Sequence, residues 1–125
     1  MGTRKKRRIL CLVLFFVCCF IALGLGGFMI RMKAQEHSRE VVILQKEEPQ
    51  VLFFYREDCP DCQKVFPWIY WQSLWEKEVV FINLNQPKNR NYITEYQLTS
   101  VPTVITPYGR YAGTDRKKIE KLWKE

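Results

Sequence analysis

Cys59 and Cys62 stand two residues apart in Cys59-Pro60-Asp61-Cys62, directly after the β-prone run Val51-Leu52-Phe53-Phe54-Tyr55. Proline suits the first helical position because its φ is already fixed and its missing N–H is not needed there, so Cys59 is expected to cap a helix that begins at Pro60. A sulfur at that place meets unpaired N–H groups and the positive end of the helix dipole, both of which favour thiolate, while the second sulfur lies one turn further in. Thiolate is the attacking species in disulfide exchange, so the arrangement predicts a nucleophile, Cys59, with a resolving partner, Cys62, built beside it. Half of a zinc site is the first competing reading, but it needs further Cys or His ligands and the segment after residue 35 offers only His37. A purely structural bridge is the second, and a loop this short restrains the unfolded chain little.

The elements that would position these sulfurs can be read in order along the chain. Val41-Val42-Ile43-Leu44 reads as a short edge strand ended by Lys46-Glu47-Glu48-Pro49, and residues 51–55 as a strand buried on both faces. The helix after Cys59 is expected to run towards Lys77 with Val65, Phe66, Ile69, Tyr70, Leu74 and Trp75 on its apolar face and a kink at Pro67. Trp68, Trp71 and Trp75 fall at helical spacing and are read as core packing. A strand over 79–84 follows, then a short helix from Asn89 to Leu98 with Tyr92, Ile93 and Tyr96 inward. Val101-Pro102-Thr103-Val104-Ile105 resumes β character, Tyr108-Gly109-Arg110 turns the chain into a short returning strand, and Asp115 caps a last helix bearing Ile119, Leu122 and Trp123 on one face. Alternation in the middle calls for parallel pairing and the final hairpin adds antiparallel strands, which gives an α/β domain with a mixed central sheet and helices on both faces.

The first thirty-five residues have a different character. Ile9 to Ile30 is 22 residues long without a charge, about 33 Å as a helix at roughly 1.5 Å per residue, against about 30 Å of hydrocarbon. The apolar region of a cleaved secretory signal is shorter, about 7–15 residues, so the segment reads as one uncleaved transmembrane helix; Gly24, Gly26 and Gly27 are what a cleavage site would use. Arg4, Lys5, Lys6, Arg7 and Arg8 precede the span, whereas Arg31 and Lys33 follow it, which directs the rest of the chain to the outer side. Gly2 lacks the Ser or Thr that myristoylation wants at the position of Lys6, and Cys11, Cys18 and Cys19 read as small apolar thiols within the span. The expected organisation is a basic cytoplasmic tail (1–8), a transmembrane helix (9–30), a tether (31–40) and one domain (41–125).

The net charge of +7 is accounted for entirely before residue 36, because residues 36–125 carry 13 basic and 13 acidic side chains. A neutral domain has no basic footprint for phosphates, so nucleic acid is excluded as the expected partner. With 125 residues there is room for one small domain beside the span, and the 47% hydrophobic and 14% aromatic fractions call for a folded core.

Across residues 41–125 the sequence resembles the thioredoxin superfamily. Phe53-Phe54-Tyr55 leading into Cys59-Pro60-Asp61-Cys62 looks like the family's strand and redox motif, and Pro67 matches the proline in its long helix. Ser100-Val101-Pro102-Thr103 resembles the loop whose proline is cis and faces the cysteines, and Gly109 and Gly113 fall where the closing hairpin carries glycines. With the span, the whole is similar to small membrane-tethered thioredoxin-like proteins of Gram-positive bacteria, bacteriocin-transport accessory proteins among them. The resemblance implies a thioredoxin-like fold and a thiol–disulfide oxidoreductase with catalytic Cys59 and Cys62, Pro60 and Asp61 between them, and a client-facing loop at Val101 and Pro102. Clients would be extracytoplasmic protein disulfides, turnover would need an electron partner such as a membrane thiol carrier, and no metal or organic cofactor is implied.

Two departures bear on mechanism. Asp58 stands where thioredoxin has a tryptophan, and Phe53 replaces its buried carboxylate. Glu57, Asp58 and Asp61 set three acids around the pair against Arg56 alone, and like charge opposes thiolate, a mild lean to reductase, although Pro60 and Val101 resemble oxidases. The alternative from another class is a non-catalytic module that uses the fold to hold a secretion or transport partner; a third is an assembly accessory for a secreted disulfide-bonded peptide.

Overall fold

A computed structural model describes residues 2–45, 50–76 and 78–124. The chain divides into two compact units, Met1–Ala34 and Gln35–Glu125. The first is almost wholly helix α1 (Thr3–Glu36), whose last residues reach into the second. Within α1 the apolar side chains of residues 9–30 are nearly all exposed, and it is the one helix among the described residues long and apolar enough to cross a membrane.

The second unit is built on a four-stranded sheet of order β2-β1-β3-β4. Strand β1 (Val51–Tyr55) pairs parallel with β2 (Val79–Asn83) and antiparallel with β3 (Thr103–Thr106), which in turn pairs antiparallel with β4 (Gly109–Ala112). All five residues of β1 are buried, as a central strand covered on both faces requires. The parallel β1–β2 pair needs a crossover, which is helix α2 (Pro60–Trp75). Alternate residues sort to the two faces. Phe53 and Tyr55 stack at 5.3 Å and pack against Phe66 of α2, while Leu52, Phe54, Ile82 and Leu84 form a second cluster with Tyr92. Each such side chain, fully buried, contributes on the order of 1.5–3 kcal/mol.

The second face is covered by a 3₁₀ turn (Pro87–Asn89) and helix α3 (Asn91–Glu95), in place of the single helix expected over 89–98. Tyr92 is buried there, but Ile93 is exposed rather than inward. Helix α4 (Arg116–Lys124) closes the chain, and Asp115 caps it by accepting from the N–H of Lys117 at 3.0 Å. Ile119 and Trp123 of α4 are buried and Leu122 is half-buried, as the sequence predicts. The hairpin turn falls at residues 107–108, before Gly109 rather than around it. Gly113 has φ +140°, and a Cβ there would come within 2.6 Å of the Tyr111 hydroxyl, so this position tolerates only glycine.

Two further expectations are corrected. Residues 41–44 form no strand: their polar groups are taken by side chains, Val42 N–H by Asn89 Oδ1 at 2.9 Å and Leu44 N–H by the Tyr92 hydroxyl at 3.1 Å, which itself donates to Val42 O at 2.7 Å. The segment expected to end that strand, 46–49, lies outside the described residues, as does Lys77. The tryptophan stripe is not core either. Trp68 is half-buried against Trp123, but Trp71 and Trp75 are 49% and 70% exposed and Leu74 is 53% exposed. Pro67 lies on the exposed side of α2, where water can reach the Gln63 carbonyl that its missing N–H leaves unpaired.

Asn89 is fully buried and bonds three ways: its Nδ2 donates to Glu40 O and Asn83 O, and its Oδ1 takes the Val42 N–H. An Asn89→Ala variant strands these groups and is expected to lose about 1–3 kcal/mol. Thermal unfolding of the chain should show Tm lowered by several degrees; an unchanged Tm would mean that residues 40–42 are not held in this way.

Candidate active site

The geometry around the two sulfurs starts with the local fold of residues 56–62. Cys59 takes the N-cap with extended φ and ψ of −94° and 118°, and Pro60 is the first helical residue. The Cys59 sulfur accepts the backbone N–H of Cys62 at 3.3 Å, satisfying one of the helix's orphan donors as a cap oxygen would. Cys59 is half-buried and Cys62 is buried, so a reagent in the solvent can reach only the first sulfur directly. Burial pushes the Cys62 thiol well above its ordinary range, and the neighbouring Cys59 sulfur adds to the effect. Burial thus keeps the Cys62 thiol protonated at neutral pH.

Opposite the pair stands the loop before β3, where the Val101–Pro102 peptide is cis. The Cys59 thiol points at Val101 O, 3.9 Å away. Pro102 is buried and its carbonyl accepts the Gly113 N–H at 3.0 Å, which ties the loop to the end of β4. Beside this loop opens a groove of about 460 Å³ lined by Arg56, Leu84, Arg90, Ile93, Leu98 and Val101. The exposure of Ile93 thus has a reason: it walls this groove. Among the described residues no group of three or more His, Cys, Asp or Glu is placed to hold a metal ion.

The loop that delivers Cys59 is held by a polar network that sequence reasoning missed. The Glu57 carboxylate accepts from Arg39 Nη2 at 2.5 Å and from Asn83 Nδ2 at 3.0 Å, and the Glu57 N–H donates to Asn85 Oδ1. Asn85 Nδ2 donates to Asp58 Oδ1, and Gln63 Nε2 of α2 donates to Glu57 O. Asn83 and Asn85, polar residues at the end of an apolar strand run, were the available sign. His37, to which the sequence assigns no role, lies 3.9 Å from Glu57.

Counting charges along the sequence also misjudged the field around the pair. Arg56 is not the sole counter-charge: Glu57 meets Arg39, Asp58 meets Arg56 at 3.2 Å, and Asp61 meets Lys64 at 3.2 Å. The Asp58 and Asp61 pairs are exposed and so only partly offset the acids.

A cysteine pair at the head of a central helix, beside a mixed sheet and a cis-proline loop, defines a thioredoxin-fold domain. The Thioredoxin family profile matches residues 29–122, and the chain belongs to that family. No curated protein matches it.

Glu57 supplies a pH test of the network. Its hydrogen bond from Arg39, and then that from Asn83, hold its carboxyl below the ordinary carboxylate range against the effect of burial. A depressed folded-state value means that the stabilisation is present above the unfolded value, about 4.3, and is lost as pH falls through the folded one. Unfolding measured between about pH 6 and pH 3 should show a steeper acid-side loss in the parent chain than in Glu57→Gln; identical profiles would show that the ion pair contributes nothing.

Proposed function

We propose that this chain is a membrane-anchored thiol–disulfide oxidoreductase that acts on extracytoplasmic protein disulfides through Cys59 and Cys62. The observation that carries the reading is the asymmetry of the pair, a reachable sulfur at a helix cap and a buried, protonated one a turn behind it. The apolar stretch of α1 and the basic residues before it support the anchor and the outward orientation.

In the reductive direction the Cys59 thiolate attacks one sulfur of a client disulfide. That bond breaks, a Cys59–client bond forms, and the displaced client sulfur leaves as thiolate and takes a proton. Cys62 then loses its proton and attacks the Cys59 sulfur, releasing the second client thiol. The client gains two electrons and the chain is left with the Cys59–Cys62 disulfide, which a dithiol electron partner in the membrane or envelope must reduce for turnover. The same steps run backwards oxidise a client. Asp58 and Asp61, only partly offset by exposed ion pairs, disfavour extra negative charge at the motif and give the mild lean towards reduction.

The groove beside Val101 is the place for the client. An extended client strand lies along the Val101 backbone, held by Pro102, with a side chain in the groove between Arg56 and Arg90. Pro60 and Asp61 lie on the exposed side of the motif and face the client's other flank.

A Cys62→Ala chain cannot resolve the first intermediate and should accumulate mixed disulfides through Cys59, seen as reductant-sensitive adducts on non-reducing gels. A Cys59→Ser/Cys62→Ala chain should show none. If Cys62→Ala traps no client, and cells keep the chain's function with both cysteines replaced, the protein is a thioredoxin-fold binding module for a secretion or transport partner instead.

A further inference from the structure

The far end of α2 presents a surface that the redox site does not use. Trp71 and Trp75 contact each other at 5.6 Å between ring centroids, and with Leu74 they form an exposed apolar patch on the last turns of the helix. Helix α4 approaches α2 and its C-cap at three points. Arg116, at its start, lies over the Trp68 ring at 5.3 Å; Trp123 packs on Trp68 at 6.0 Å; and Lys124, at its end, is close enough to Glu76 to feel its charge. The sequence of α4, RKKIEKLWK, holds five basic residues against one acid. In a domain whose charges balance overall, this is a local concentration of positive charge, set next to exposed tryptophan and leucine.

We propose that the end of α2 together with α4 is a docking surface for the headgroup region of an anionic lipid bilayer. Tryptophan is the side chain that partitions into the membrane–water interface, and Lys and Arg beside an apolar patch add attraction to anionic headgroups. A soluble partner would also accept tryptophan, but the combination of indole, leucine and a predominantly basic helix, in which the one acid, Glu120, pairs with Lys124, matches lipid chemistry on both counts. The proposal rests on the anchored reading above, because α1 would keep a bilayer always within reach.

The chain's four tryptophans are Trp68, Trp71, Trp75 and Trp123; only Trp71 and Trp75 are exposed, so quenching of the indole emission from outside reports chiefly on this patch. The full chain is reconstituted into phosphatidylglycerol vesicles whose lipids are brominated near the headgroup end of the acyl chains, and into phosphatidylcholine vesicles brominated likewise. Shallow bromines should quench the emission at least about twofold more strongly in the anionic vesicles, and Trp71→Ser/Trp75→Ser or Lys117→Gln/Lys121→Gln should remove that excess. Retained thiol exchange at Cys59 shows that the variants fold. Emission indifferent to the brominated lipids overturns the proposal, as does quenching equal in both lipids and unaffected by the variants. Concentration-dependent self-association abolished by Trp71→Ser/Trp75→Ser, with no quenching, assigns the patch to a second copy and also overturns it. Resistance to carbonate extraction tests the anchor separately: a chain that is extracted refutes the anchored reading, while quenching of the vesicle-bound protein still decides the docking.

Discussion

The bond from the Cys62 N–H to the Cys59 sulfur is the contact on which the site depends. It can form only if Cys59 leaves the helix at the cap and Cys62 enters it, and it fixes the two sulfurs in unequal environments. One sulfur caps the helix and faces Val101; the other is buried in the first turn of α2, where an ionised thiol would lose its hydration. Pro60 makes the arrangement local, since its ring supplies the helical φ at no further cost in chain entropy. The buried β1 strand makes it tertiary, because Phe53 and Tyr55 hold Phe66 and so set the height of the whole helix on the sheet.

Residues 38–42, which follow α1, are part of this construction. Ser38 O, Arg39 O, Glu40 O and Val42 O all accept from side chains of the 83–92 region, namely Asn83, Gln86, Asn89 and Tyr92. The Arg39 guanidinium reaches Glu57, two residues before Cys59. The same polar cluster therefore holds residues 38–42 to the domain and the redox loop to the end of β2, so strain on that segment would be felt at Cys59 through Glu57 and Asn83.

The central fold was legible wherever a periodicity was decided within one element. The β1 run, the helix start at Pro60, the β3–β4 hairpin and the buried face of α4 all follow from local patterns that tertiary contacts reinforce. What was not legible depended on which neighbours are present. Residues 41–44 have a strand's composition, but Asn89 and Tyr92 take their hydrogen bonds. Trp71, Leu74 and Trp75 have the spacing of a buried stripe, yet they lie exposed on the last turns of α2. Similarly, the acids near the cysteines looked opposed by Arg56 alone because Arg39 is remote in sequence and close in space. The Cys59–Cys62 pair itself needed no tertiary information, since its chemistry follows from spacing and from the turn into the helix.

The reduction potential of the full chain tests the central claim most directly. The chain is equilibrated across graded thiol–disulfide buffers, and the redox state of the peptide carrying Cys59 and Cys62 is read by differential alkylation. The account predicts one two-electron transition, with Cys59 and Cys62 joining and separating together, at a potential nearer about −270 mV than about −120 mV. Two sulfurs that never join at any poise, or that oxidise independently to mixed disulfides with the buffer, would contradict it.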